Sequence, residues 1–571
     1  MFGDGPELTA AAVLNTVAHP PGYPLWILLG HLASLFPAGP LPFRINLTAC
    51  LYHALTAGLV YCSAYILTRR ALPSLFAAVV LAIGSPLFFV WSLQAEVFSL
   101  TDLFAAAIGF FTLLWLDDPR RWRIVVPLGA LFGLALSHQS TLALLAPGAL
   151  WALWNGRREI PRRLATLGVF ALAATLMLLG FTLPYAHTIF ASQQLAHWQL
   201  GSATNLTQLN DVIERKDYGG AFSLVAFSTV QGGTFLERVC AMLSNQGWSI
   251  AISFAGVLTL GLRRRCKEFA VAVSYVALPM LLFCAIANIS VSNDDTRAIF
   301  ARFALLSLTA LAPFSAVAIA ELAATPLQVA ALAAASVIAA SRLPALSLAG
   351  THDVRTLYRD IFAALPPNAV LLTAGDAVDQ PPLYFQGVEH QRPDVTVITY
   401  GLLNNPHYLQ ALRSQINVPP EVIYNVRAQV RRDMLALENP NRQFFTVGER
   451  PIHAPGPRYV PEVLGIVTQQ VLKTRTISRT DNYKCLAQLQ SVNGYGDVTA
   501  DYWRSNGFGS AVRQYYAGGF FTTGYIAELL HNSVSALTWY ERANGYDADP
   551  LIVQHSTTVF SRLERHWQKA L

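Results

Sequence analysis

Residues 4–24 open with Asp4-Gly5-Pro6-Glu7 and end with His19-Pro20-Pro21-Gly22-Tyr23-Pro24. Directly behind them begins a series of apolar segments of about twenty residues each, the length that crosses a bilayer. A soluble core has no use for two carboxylates, a histidine and a Pro/Gly-rich turn gathered at one end of the chain. On a membrane protein, polar residues collected on a short loop at one face are a candidate site. This stretch therefore decides the reading of the chain as a polytopic membrane protein with its chemistry at a membrane face.

Composition agrees. Of 571 residues, 53% are hydrophobic and only 13% charged, against about 25% charged in an ordinary soluble protein. The formal net charge of +6 does not point to nucleic acid, because the basic residues sit in short loops between apolar runs. Tyr23–Phe36 is too short to cross and is expected to lie in the interface. The expected spans are Phe43–Leu67, Leu72–Val90, Val97–Leu116, the pair Ile124–Leu136 and Thr141–Trp154, Leu164–Tyr185, Val239–Leu262, Phe269–Ile289, Phe303–Leu322 and Leu327–Leu343, about ten crossings. Arg69-Arg70, Arg120-Arg121-Arg123, Arg157–Arg163 and Arg263-Arg264-Arg265-Lys267 all fall on one side of this topology. The positive-inside rule makes that side cytoplasmic, which puts the opening loop, residues 187–238 and everything after Leu343 on the other side.

The fold expected is thus an α-helical membrane domain over residues 1–345, with an outer acidic loop and interfacial helix in residues 1–43. An extramembrane α/β domain follows over 350–480, with strands expected at Ala369–Thr373, Val395–Thr399 and Phe444–Val447. Residues 481–571 read as helical. There Phe520, Gly524, Ala527, Ala536, Tyr540 and Ala543 match the spacing of a tetratricopeptide repeat. A single such unit cannot build a solenoid, so a helical hairpin docked on the α/β domain is expected. The six cysteines show no CxxC or Cys/His metal spacing, and Cys485 alone lies in the polar C-terminal region, so that region forms no internal disulfide.

Asp4 and Glu7 suit general-base work on a hydroxyl; the same two carboxylates equally suit the positive N-terminus of the helix behind them. Glu96, near Trp91 and Gln94, reads as a second acid or as a helix N-terminal charge. His138, between two short helices, reads as a site residue or a structural histidine. Arg297 and Arg302, beside Asp294 and Asp295, have the forked donors that hold a phosphate, or form a solvated interfacial cluster. No Walker loop, GxSxG, HExxH or Gly-rich dinucleotide fingerprint is present, which argues against nucleotide hydrolysis, serine hydrolysis and zinc proteolysis.

Several stretches together resemble a bacterial family of multi-spanning membrane proteins that is similar to the eukaryotic transmembrane O-mannosyltransferase acting on plexin-type (IPT) domains. They are Asp4-Gly5-Pro6-Glu7, Ala18-His19-Pro20-Pro21-Gly22-Tyr23-Pro24-Leu25, Arg44-Ile45-Asn46-Leu47, Glu96-Val97-Phe98-Ser99-Leu100, Trp198-Gln199-Leu200-Gly201 with Arg215-Lys216-Asp217-Tyr218-Gly219, and Pro366-Pro367-Asn368-Ala369 with Arg392-Pro393-Asp394-Val395. The resemblance implies a GT-C fold in a bacterial inner membrane, with the active site on the periplasmic side. It implies transfer of a sugar such as mannose, with inversion, from a polyprenyl-phosphate carrier to a hydroxyl on a protein, glycan or lipid acceptor. Asp4 and Glu7 become the acidic pair, and His19, Tyr23, Arg44, Glu96, His138, Arg297 and Arg302 substrate contacts. No cofactor is implied, and a divalent metal stays open. Two departures stand out: Gly5-Pro6 replaces the usual Ser between the acids, and family members carry a full span ahead of the motif. An apolar span upstream of Met1, or a shortened chain, is therefore expected. A transporter would need broken helices and mid-bilayer charges, whereas the ionisable residues here read as clustered at span ends. A non-catalytic scaffold would leave the acidic loop without a purpose.

Overall fold

The computed structural model describes residues 3–161, 164–193, 201–216, 233–244, 248–287, 289–291, 294–322, 324–346, 353–404, 406–422, 428–447, 459–464, 466–472, 507–529, 532–545 and 553–561. The chain divides into two compact units, one of residues 8–195 and 199–349, the other of residues 1–7, 196–198 and 350–571. The first is a helical bundle. It opens with α1 (Gly5–Leu14, of which residues 5–7 count with the other unit), α2 (Pro24–Ser34), α3 (Leu41–Thr68), α4 (Ala71–Ala82), α5 (Pro86–Trp91), α6 (Phe98–Asp117) and α7 (Val125–His138).

Among the described residues, six helices are long and apolar enough to cross a membrane: Leu41–Thr68, Phe98–Asp117, Thr166–Ala191, Cys266–Ile286, Ile299–Ala320 and Thr325–Pro344. The chain is a multi-pass membrane protein. The remaining four expected crossings fall on shorter helices. Leu72–Val90 divides into α4 and α5 at Gly84, where a Cβ would lie 2.6 Å from the Val80 carbonyl oxygen, and Ser85 caps α5 by accepting from the Phe88 N–H at 3.3 Å. The Ile124–Trp154 pair forms α7 and Ala146–Gly156, and Val239–Leu262 leaves an apolar helix only over Trp248–Leu262.

Burial separates the bundle's centre from its rim. Within their most apolar windows, Ile299–Ala320 is 78% buried and Phe98–Asp117 67%, against 11% for Thr166–Ala191. The last therefore presents leucines such as Leu167, Leu178 and Leu183 outward, as a lipid-facing helix must. Glycines let backbones meet where side chains would separate them: Gly133 lies against the Met177 backbone and Gly256 against that of Phe314. Basic residues gather at one end of the bundle. There Arg69 pairs with Asp117 and Arg263 with Glu321, Arg70 donates to the Ala320 carbonyl at 2.8 Å and Arg265 to that of Leu67 at 2.7 Å.

The second unit holds a five-stranded sheet: β1 (Val370–Thr373), β2 (Thr396–Thr399), β3 (Phe444–Val447), β4 (Tyr459–Leu464) and β5 (Val467–Leu472), in the order β2-β1-β3-β5-β4. β1 runs parallel to both β2 and β3, while β5 is antiparallel to β3 and β4. β1 and β3 are buried along their whole length, which matches their unbroken apolar runs. Arg392 fastens one edge: its guanidinium donates to the carbonyls of Phe362, Leu365 and Pro366 and to Asp394, which also accepts from the Asn368 N–H at 3.0 Å. Helices Gly507–Leu529 and Ser533–Asn544 form a hairpin, with Gly524 against Tyr540 and Phe520 stacked on Trp539 at 5.8 Å. It is tied to this unit where Tyr515 donates to the Ala374 carbonyl and Tyr516 to Asp360, each at 2.7 Å. Cys485, Trp198-Gln199-Leu200 and Asp217-Tyr218-Gly219 lie outside the described residues, as do the side chains of Asp294 and Asp295.

Candidate active site

In the bundle, the loop between α5 and α6 places Glu96. Asn46 of α3 accepts from the Ala95 N–H at 2.8 Å, which fixes the backbone beside it. Glu96 is fully buried, and its carboxylate lies 3.9 Å from the Arg302 guanidinium. That guanidinium also sits 5.5 Å from the ring centres of Trp91 and of Phe98. A carboxylate and two aromatic faces make a buried cation tolerable where water cannot.

His138, the last residue of α7, donates from Nε2 to the Val97 carbonyl at 2.9 Å, with the Thr101 hydroxyl 3.1 Å away. Thr101 in turn donates to Gln139 at 2.5 Å. The Tyr23 ring lies 6.2 Å from that of His138, and His19 packs edge-on against Tyr23 at 5.3 Å. His19, Tyr23, Glu96, His138 and Arg302 thus share one neighbourhood although they are spread over nearly three hundred residues of sequence. A small cavity, with room for about one water, is lined there by Phe98, Thr101, Asp102, Gln139, Phe283 and Arg302 among others. The lining sets one guanidinium and the polar side chains of Thr101, Asp102 and Gln139 among aromatic and aliphatic walls.

Two expected contacts sit elsewhere. Arg44 spends its donors on the turn between α2 and α3, to the Gly39 carbonyl at 2.9 Å and to that of Ser34 at 2.7 Å. Arg297 is exposed, with one donor 3.4 Å from the Val291 carbonyl. The structure also corrects the reading that ionisable residues cluster at span ends. His53 of α3 and Asp102 of α6 are buried inside two of the spans, 3.1 Å apart, with the imidazole stacked on Phe88 at 3.7 Å. The signal was present in the sequence, since an ionisable residue within an apolar span is itself a candidate functional group.

In the second unit, Asp4 stands just before α1 and Glu7 lies buried in its first turn. The Asp4 carboxylate accepts from the Gln380 side-chain amide at 2.8 Å. Gln380 lies where Asp376–Asp379 passes into Pro381–Gly387, directly after β1. No sequence signal marked it.

Residues 4–160 match the family described as the Protein O-mannosyl-transferase TMEM260 N-terminal domain, and residues 354–452 match TMEM260-associated domain 2. Protein O-mannosyl-transferase TMEM260 of Mus musculus is 29% identical to it over 434 residues, which are 71% of this chain and 60% of the mouse protein. The Dictyostelium discoideum protein of the same name is 22% identical over 459 residues, 70% of this chain and 55% of its own length. The chain therefore spans somewhat under two thirds of these TMEM260 proteins. Its fold is similar to that of ArnT from Cupriavidus metallidurans, a GT-C glycosyltransferase solved with undecaprenyl phosphate bound. The TM-score is 0.51 at 12% identity, over 84% of this chain and 95% of ArnT. At that identity the likeness establishes the fold alone, and it is the GT-C fold expected from the motifs.

Proposed function

We propose that this TMEM260-family chain is a membrane glycosyltransferase that moves a sugar, mannose by analogy with its named relatives, from a polyprenyl-phosphate carrier to a hydroxyl acceptor on the non-cytoplasmic face. The observation that carries the reading is the acidic motif Asp4-Gly5-Pro6-Glu7, which heads the region matching the O-mannosyl-transferase N-terminal domain. Asp4 takes the acceptor's proton as the hydroxyl oxygen attacks the anomeric carbon. The bond from that carbon to the phosphate oxygen breaks, its electron pair leaves on polyprenyl phosphate, and the configuration inverts. Phosphate is already a good leaving group, so stabilising its charge matters more than protonating it. Arg302 is given that role, because its guanidinium is presented to a cavity by Glu96, Trp91 and Phe98. Glu7 orients the acceptor or a water. The arginines gathered at one end of the bundle support assigning that end to the cytoplasm.

Transfer from a labelled polyprenyl-phosphate mannose, normalised to folded protein, tests the assignment. Asp4→Asn keeps the volume and removes the base, and a loss of roughly 10²–10⁴-fold is expected, with a smaller loss in Glu7→Gln. Near-wild-type turnover in Asp4→Asn beside a dead Glu7→Gln would reverse the two roles. Full activity in both would remove the opening motif from the chemistry.

A further inference from the structure

We infer that Gln380 is the positioning residue of Asp4, so that the C-terminal α/β unit is a working part of the acid/base machinery. This inference rests on the reading of Asp4 as the base. The side-chain amide of Gln380 donates to the Asp4 carboxylate at 2.8 Å, although 376 residues separate the two in sequence.

Three features of the structure support it. Gln380 is 6% exposed, so its hydrogen bond is shielded from competing water and holds the carboxylate in one orientation. Its other amide atom, Oε1, is buried with no hydrogen-bond partner among the described residues. A buried acceptor left unmade costs about 1–3 kcal/mol, so stability alone is a poor reason for an amide here. A carboxylate that must present one defined oxygen to a hydroxyl is a better one. The third feature is topological. The sheet order places β2 on one side of β1 and β3 on the other, with all three parallel. In open α/β sheets, ligands gather outside the carboxyl end of the strand where the order reverses. The segment that leaves that end of β1 reaches Gln380 within seven residues of Thr373. The other carboxylate with a described partner on this turn, Asp379, accepts from the Gly375 N–H at 2.8 Å.

The test uses the detergent-purified 571-residue chain and a labelled polyprenyl-phosphate mannose, with sugar release to water as the readout. Gln380→Met keeps the length and removes the donor. A hydrogen bond to a charged group sets the scale, so kcat is expected to fall roughly 10–100-fold with KM unchanged. The acid limb of the pH–rate profile should move to higher pH, because the anionic form has lost a donor. Gln380→Glu should move the same limb further, since it sets a second carboxylate beside the first. In an Asp4→Asn background, Gln380→Met should cost nothing more. Wild-type kcat and an unmoved acid limb in Gln380→Met, beside a dead Asp4→Asn, would overturn the role of Gln380 and leave Asp4 in place. Full activity in Asp4→Asn would instead remove the base itself. A variant that loses kcat in equal measure with and without Asp4, or only through poorer folding in thermal unfolding, would show that Gln380 is merely structural.

Discussion

The Glu96–Arg302 pair allows the membrane unit to be tested quantitatively. Glu96 is fully buried, the Arg302 side chain is 9% exposed, and the charges lie 3.9 Å apart. At an effective dielectric of ~20, their attraction is about 4 kcal/mol, part of which is offset by the cost of desolvating both. Removing one partner strands the other, and for a buried pair that costs about 3–5 kcal/mol. In Glu96→Gln the cation loses its carboxylate but keeps its two aromatic faces, each contributing about 0.5–2 kcal/mol, so a net loss of about 3 kcal/mol is expected. The double variant Glu96→Gln/Arg302→Met contains no stranded charge. It should be less damaged than the sum of its parts, with a coupling of about 1–3 kcal/mol. The assay is apparent thermal unfolding in detergent, followed by tryptophan fluorescence. At about 1–2 °C per kcal/mol for a unit of this size, Glu96→Gln should unfold roughly 3–6 °C early and the double variant should recover part of that. Additive losses, or an unchanged midpoint in Glu96→Gln, would refute the view that this pair holds the loop between α5 and α6.

Three further outcomes are expected. Arg392→Ala deletes donors to three backbone carbonyls and to Asp394 and should destabilise the C-terminal unit by about 2–4 kcal/mol, measured as faster limited proteolysis after residue 350 with the bundle unchanged. The same unit should be acid-labile. Bonds from Arg392, against a small opposing effect of burial and with help from the Asn368 N–H, hold the Asp394 carboxyl at about 2. Burial pushes Glu389 up, but its bonds to Arg355 outweigh that and hold it low. Carboxyls depressed in the folded state stabilise it above their unfolded values near 4 and lose that contribution as pH falls toward the folded ones. Unfolding monitored from pH 5 to pH 2 should show this loss, and Asp394→Asn should flatten it. Finally, a Cβ at Gly256 would strike the Phe314 backbone, so Gly256→Ala should cost about 1–3 kcal/mol by overpacking, read as lowered recovery of folded protein from membranes.

Apolar length was the legible part of the bundle, because lipid forces backbone hydrogen bonds inside each segment and leaves a long hydrophobic run as the trace. What it could not show is where a run breaks. Leu72–Val90 is long enough to read as one crossing, yet it divides at Gly84, where Ser85 caps α5 and Pro86, at its first position, has no N–H with which to continue α4. Strands β1, β2 and β3 were legible as buried β-branched and apolar runs. The hairpin β4–β5 was not, since Tyr459–Leu464 carries Pro461 and Glu462 and Val467–Leu472 carries two glutamines. In the site, charged residues next to a span were readable as candidates, whereas Asn46, Thr101 and Gln380 are placed by hydrogen bonds to residues far away in sequence, and pattern carries no record of those.

The arginines show why motif membership and site membership are different properties. Arg44 and Arg392 both stand in stretches that carry the family resemblance, and both direct their donors at backbone carbonyls, which fixes a turn in one case and a sheet edge in the other. In Arg392 this uses all five N–H donors, whereas Arg44 commits two of its five. Arg302 is held differently: its neighbours are a carboxylate at 3.9 Å, longer than the 2.7–2.9 Å or so of a strong charge-assisted bond, and two ring faces. Those contacts neutralise and orient the cation, and the same side chain lines a cavity. In a chain of forty basic residues, that difference in what surrounds the guanidinium, and not charge or position in a motif, is what sets Arg302 apart from Arg44 and Arg392.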